Sequence, residues 1–165
     1  GGASGKNPGE IQGVRALRSV VQRVSWARVS VEEQEVGSVG KGLCVLVGVT
    51  HEDGPKDVEW MADKLIHLRI FEDEAGKMNK SLLDVGGAMM LVSQFTLLGD
   101  CRRGRRPSFL GAALPEKARE VYDGLIVAVR SRGVSVSSGV FQAEMAVELC
   151  NAGPVTLILD SRGEA

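Results

Sequence analysis

The sequence predicts a mixed α/β, strand-rich fold: two packed, largely antiparallel β-sheets in a barrel-like arrangement with flanking helices. Three observations carry that expectation. Segments rich in β-branched residues recur along the chain, beginning with SVVQRVSWARVSV (19–31). One segment, LCVLVGV (43–49), is apolar throughout, as in a strand covered on both faces. Only two stretches carry helical spacing, and each opens at a proline, Pro55 and Pro115.

In chain order, residues 1–16 (GGASGKNPGEIQGVRA) read as an extension, because they are rich in glycine and offer little to bury. One domain is expected over 17–165, with no internal repeat or linker. The first strand shifts the phase of its apolar alternation between Val24 and Ala27, which predicts a bend or bulge. Glu32 to Gln34 form a polar turn, and a second strand runs through Val36 and Val39. After 43–49, a helix presents Val58, Met61, Ala62 and Leu65 on one face. A short strand at 69–71 and a strong one at 88–97 follow. The second helix carries Ala118, Val121, Tyr122, Leu125, Ile126 and Val129 inward and stops at Gly133. Three more strands are expected at 134–141, 146–151 and 155–160.

Composition narrows the function classes. No apolar run approaches the ~20 residues of a membrane helix, and no signal peptide is visible, so the expected location is the cytosol, away from membranes. Cys44, Cys101 and Cys150 make neither a CxxC pair nor a metal-ligand spacing. His51 and His67 belong to no HExxH pattern, and neither a GxSxG elbow nor a phosphate-cradling GxxxxGK[ST] loop occurs. An enzyme with this sequence is expected to work without a side-chain triad, a metal or a cofactor. The net charge of −1 excludes a globally basic nucleic-acid binder, yet Arg102, Arg103, Arg105 and Arg106 fall within five residues.

Three segments remain as candidates for chemistry. Ser93-Gln94-Phe95-Thr96-Leu97 closes an apolar strand, where backbone N–H groups lose ladder partners and can face a ligand. By spacing alone the plainer reading, a strand end with local Ser and Thr bonds, is favoured. Asn151-Ala152-Gly153-Pro154-Val155-Thr156 joins two expected strands; by spacing alone it is a turn. CRRGRRPSF (101–109) reads either as a solvated loop or as a phosphate-binding strip with Phe109 available for stacking.

Taken together and in order, LRSVVQRVSWARVSV, KMNKSLLDVGG, VSQFTLLGDCRRGRRPSF, GVFQAEM and NAGPVTLILDS resemble the pattern of D-aminoacyl-tRNA deacylases from about Leu17 to Ser161. The resemblance implies two sheets with flanking helices, paired as a homodimer whose interface holds the active sites. It implies catalytic positions at Ser93, Gln94, Phe95 and Thr96. It further implies that Gly153-Pro154 is a cis dipeptide reaching into the other subunit's pocket, with Asn151 in the same motif. Arg23 matches the arginine that holds this dipeptide, and Met145 lies near the pocket in the GVFxxxM stretch that also contains Phe141. The family's Phe-Gly-Ala reads Phe141-Gln142-Ala143 here, and the residue before the Gly-Pro is Ala152.

The implied substrate is an amino acid esterified to the 3′-terminal adenosine of tRNA. Hydrolysis needs an activated water and a stabilised oxyanion, for which the N–H groups around Phe95 and Thr96 are the candidates. Thr96 as nucleophile lacks a visible base, so water oriented by the ribose 2′-OH is the preferred route. A wall of backbone at Gly153-Pro154 would exclude L side chains while accepting D residues and glycine, including glycine mischarged on the alanine tRNA. The rival readings are a non-catalytic RNA-binding homodimer, a general serine or threonine esterase, and a structural dimer.

Overall fold

The structure is a computed structural model that describes residues 16–162; residues 1–15, nearly all of the expected extension, lie outside the described residues. Strand β1 (Arg18–Val31) organises everything else. Its whole length pairs antiparallel with the last strand, β8 (Ala146–Asp160). On its other edge, the first half of β1 pairs with β3 (Gly42–Gly48) and the second half with β2 (Gln34–Val39). The changeover falls where the β1–β8 register shifts between Gln22 and Trp26, the place where the apolar alternation slips phase.

Strand β6 (Ala88–Ser93) joins β3 in parallel, and β7 (Val136–Ser138) joins β6 in parallel. The six-stranded sheet curls until Gly37 of β2 meets β7: a Cβ built on Gly37 would lie 3.2 Å from the Ser138 carbonyl oxygen. This gives the barrel-like, strand-rich α/β architecture, with four antiparallel and two parallel pairings. A small hairpin of β4 (Phe71–Glu72) and β5 (Met78–Lys80) stands apart from the main sheet.

Strand β3 is buried on both faces, as its unbroken apolar run requires. Leu43, Val45 and Val47 face the main core with α1 (Pro55–His67) and α3 (Pro115–Ser131). The opposite face places Cys44 in a smaller cluster with Val24, Ala27, Val29, Met90 and Val92. Burial there pushes the Cys44 thiol up to about 11, so it stays protonated and apolar. Each helix buries one stripe, including Met61 and Leu65 of α1 and Tyr122 and Leu125 of α3. The Tyr122 hydroxyl donates to the Leu91 carbonyl at 2.7 Å, tying α3 to β6.

Several elements differ from the sequence reading. The expected strand 88–97 ends at Ser93, and Phe95–Leu98 form a 3-10 turn. That turn lies over Gly48, where any Cβ would meet Leu98 Cδ2 at 2.3 Å. The expected strands 146–151 and 155–160 are one strand, because β1 bridges the interruption with a register shift. Only 136–138 of the expected 134–141 strand is paired. A four-residue helix, α2 (Leu82–Val85), was absent from the sequence reading; Ser81 and Asp84 cap its start reciprocally, and Gly86 ends it in a left-handed conformation. Cys150, within the expected strand 146–151, is exposed, whereas Cys44 is buried. Among the described residues no helix is long and apolar enough to cross a membrane.

Candidate active site

Where β6 ends, the chain turns sharply. Gln94 N–H still donates to Val47 carbonyl at 2.7 Å, the last bond of the parallel ladder. The next two amides, Phe95 and Thr96, open the 3-10 turn and have no acceptor among the described residues. Side chains there are polar and outward. The Gln94 amide donates to the Thr96 hydroxyl at 2.9 Å. Phe95 is 56% exposed and meets Phe109 edge to face at 5.1 Å between ring centroids.

These residues line one end of a cleft of about 560 Å³. Ser93, Gln94, Phe95 and Thr96 stand together there, as the sequence placed them. Phe109, Leu114 and Pro115 form one wall, and Phe141, Gln142, Ala143 and Met145 form another. Phe141 is held by Tyr122, stacked at 6.1 Å, and by the Arg119 guanidinium 5.8 Å from its centroid. A shallower groove of about 420 Å³ adjoins the cleft, sharing Ser93, Gln94 and Met145 and adding Leu46, Val147 and Leu149 from the open side of the small core.

Among the described residues no histidine or carboxylate bonds the Thr96 hydroxyl. The His51 ring instead bonds the Leu110 carbonyl at 2.7 Å, and His67 faces Asp63 on the surface. Among the described residues no cluster of His, Cys, Asp and Glu has the makings of a metal site.

The Asn151–Thr156 corner lies outside this cleft. The Gly153–Pro154 peptide is cis, and both residues are exposed. Arg23 crosses from β1 to bond the Ala152 carbonyl through Nε and the Ile70 carbonyl through Nη1, each at 2.8 Å. Asn151 accepts from Val155 N–H at 2.7 Å while its amide donates to Gln22, Val155 and Thr156 oxygens at 3.0–3.2 Å. Gly153 has φ 137, and a Cβ there would meet Arg23 Nη2 at 2.8 Å. The structure thus brings Arg23, Asn151, Gly153 and Pro154 together, and separates them from their own chain's Ser93–Thr96.

The arginine loop is closed by Asp100 and Ser108, whose backbones bond each other at 2.7 and 2.9 Å. Arg102 folds back onto Asp100, whose carboxyl it holds below the usual range. Arg103, Arg105 and Arg106 are exposed and have no acidic partner among the described residues. Sequence reasoning missed Gln142 as a conformational feature: it lines the cleft with φ 65.

A family model described as D-Tyr-tRNA(Tyr) deacylase matches residues 20–160. The chain belongs to the D-Tyr-tRNA(Tyr) deacylase family. It is 55% identical to a D-aminoacyl-tRNA deacylase of Clostridioides difficile over 145 residues, covering 88% of this chain and 97% of that protein. A D-aminoacyl-tRNA deacylase of Thermus aquaticus is 56% identical over 145 residues, covering 88% and 95%. Among solved structures, the c-Myc DNA unwinding element binding protein superposes with TM-score 0.82 at 39% identity, covering 87% of this chain and 97% of that one. A probable eukaryotic D-amino acid tRNA deacylase shares the fold with TM-score 0.77 at 20% identity, over 88% and 99% of the two chains. This is a family of enzymes, and its matched span contains both strand corners described above.

Proposed function

We propose that this chain hydrolyses the ester of D-aminoacyl-tRNA, and of glycine mischarged on the alanine tRNA, releasing the amino acid and tRNA. It acts as a homodimer. The observation that carries this reading is the separation of the two corners: a rigid, exposed Gly153-Pro154 that its own cleft does not use. The groove beside Ser93, floored by Leu46, Val147 and Leu149, offers a second copy an apolar seat beside the cleft. From that seat Gly153-Pro154 of one protomer roofs the other's Phe95.

In this arrangement the terminal adenosine lies in the cleft, between the walls bearing Phe109 and Phe141 and Met145, with its ester at Phe95 and Thr96. The two amides without acceptors receive the tetrahedral oxyanion, a role for which fixed, water-excluded donors are well suited. Among the described residues no base bonds Thr96, and its hydroxyl accepts from Gln94, so it does not act as nucleophile. Water attacks the ester carbonyl, oriented by the neighbouring ribose 2′-OH; the carbon–oxygen bond to the 3′ position breaks and the ribose oxygen leaves protonated.

The Gly153-Pro154 carbonyls face the substrate Cα. An L side chain would collide with them, whereas a D side chain points away and glycine has nothing to clash. Backbone does not read side-chain identity, so several D residues are accepted. Arg103, Arg105 and Arg106 meet tRNA phosphates, with Arg102 contributing less because Asp100 holds it.

Parallel deacylation of D-Tyr-tRNA, L-Tyr-tRNA and glycine-charged alanine tRNA tests this. Hydrolysis of the first and third, with L-Tyr-tRNA spared, is expected. An L-Tyr rate close to the D-Tyr rate removes the filter, and full activity after dilution to monomer removes the shared pocket.

A further inference from the structure

Gln142 is the third residue of a four-residue turn, closed by Ala143 N–H donating to Val140 carbonyl at 3.2 Å. With φ 65 it holds a left-handed conformation for which glycine or asparagine is the ordinary choice. A residue kept in such a conformation on the wall of a cleft points to a use for its side chain. Among the cleft's lining residues the polar ones are Ser93, Gln94, Thr96 and Gln142. The Gln94 amide is spent on Thr96. Gln142's amide bonds nothing among the described residues. It therefore stands as an open donor–acceptor pair beside Phe141, on a rim that is otherwise apolar.

We propose that Gln142 is a specificity-determining residue, whose side-chain amide pairs with the edge of the tRNA's terminal adenine. This rests on the seat assigned above to the terminal adenosine. An adenine edge presents an N6 amino donor beside a ring-nitrogen acceptor, which a primary amide matches in a two-bond pair. Gln142 is itself exposed on that rim, within reach of a base entering the cleft.

The test compares the parent with Gln142→Gly and Gln142→Met. Glycine removes the amide and relieves the backbone; methionine removes the amide and keeps both length and φ. Each is assayed on D-Tyr-tRNA ending in adenosine and on the same tRNA ending in purine riboside, which lacks the N6 amino group. On adenosine-ended substrate both variants should raise KM about tenfold, or about 1.4 kcal/mol, and leave kcat within about twofold. The parent should lose part of that tenfold on purine riboside, which keeps the ring-nitrogen acceptor, and the variants should lose nothing further. Gln142→Gly should also melt higher, by roughly 2–4 °C for each kcal/mol of strain relieved, and Gln142→Met should not. Parent-like KM in both variants overturns the assignment, as does an equal loss by the variants on purine riboside. A parent that turns over no D-Tyr-tRNA at all overturns the deacylase reading itself, and with it this role.

Discussion

The Ser93–Leu98 corner follows the end of β6, the Asn151–Thr156 corner lies within β8 where its register against β1 shifts, and the two are built in opposite ways. At the first, two successive amides are left without acceptors, an aromatic ring stands in solvent, and one side-chain bond joins Gln94 to Thr96. At the second, Arg23 and Asn151 take part in six hydrogen bonds, which tie the corner together and to Gln22 and Ile70. One corner leaves two backbone donors free. The other uses the Arg23 and Asn151 side chains to hold a backbone still. The chiral filter proposed above would need that rigidity, because a misplacement of about an ångström is enough to undo a positioning contact.

The harshest way to break this contrast is Gly153→Ala. The new Cβ would meet Arg23 Nη2 at 2.8 Å and the Val155 amide nitrogen at 3.2 Å, at a φ of 137 that L residues avoid. D-Tyr-tRNA deacylation should fall by roughly a hundredfold or more, the usual penalty for misplacing a positioning group by an ångström. Circular dichroism should be unchanged, because the corner is exposed. Near-parent activity would show that the corner is not part of the site.

Asn151→Ala probes the same rigidity more gently. It strands the Val155 amide and removes three further bonds, at a cost of about 1–3 kcal/mol in stability. More telling is discrimination: the ratio of L-Tyr-tRNA to D-Tyr-tRNA hydrolysis should rise as the wall softens. An unchanged ratio in a destabilised variant would confine Asn151 to a structural part.

How far each corner was legible in the sequence follows from the same physics. Helical period and a first-turn proline exposed α1 and α3, and the phase slip at Val24 exposed the bend in β1. Periodicity fails for α2, which is four residues long and rests on its caps. Gly153-Pro154 looks like a turn because proline lacks a ladder donor, yet β1 carries the strand across the gap. The Arg23–Ala152 bond joins residues 129 positions apart, so no local spacing could reveal it; it was expected from family resemblance alone. Gln142's left-handed backbone had no local signal, since glutamine gives no hint of positive φ.

A smaller effect is expected in the arginine loop, which touches neither corner. Changing Arg103, Arg105 and Arg106 together to alanine should flatten the slope of log affinity for tRNA against log salt by about 0.7–0.9 for each phosphate no longer neutralised. Arg102→Ala alone should move it less, because that guanidinium already bonds both Asp100 oxygens. Equal slopes in all these proteins would make the loop a solvated one.

The smallest effect, and the sharpest on mechanism, is expected from Thr96→Ala. Its hydroxyl accepts one bond from Gln94, worth about 0.5–1.5 kcal/mol net. If the amides of Phe95 and Thr96 carry the oxyanion and the ribose 2′-OH guides the water, alanine leaves both in place. The single-turnover rate should then fall by less than about tenfold, as that net bond energy allows. A 2′-deoxy terminal adenosine should cost the parent far more than this substitution does. Should Thr96→Ala abolish nearly all turnover while the deoxy substrate is still cleaved, the hydroxyl is the nucleophile, and the free corner works by covalent chemistry.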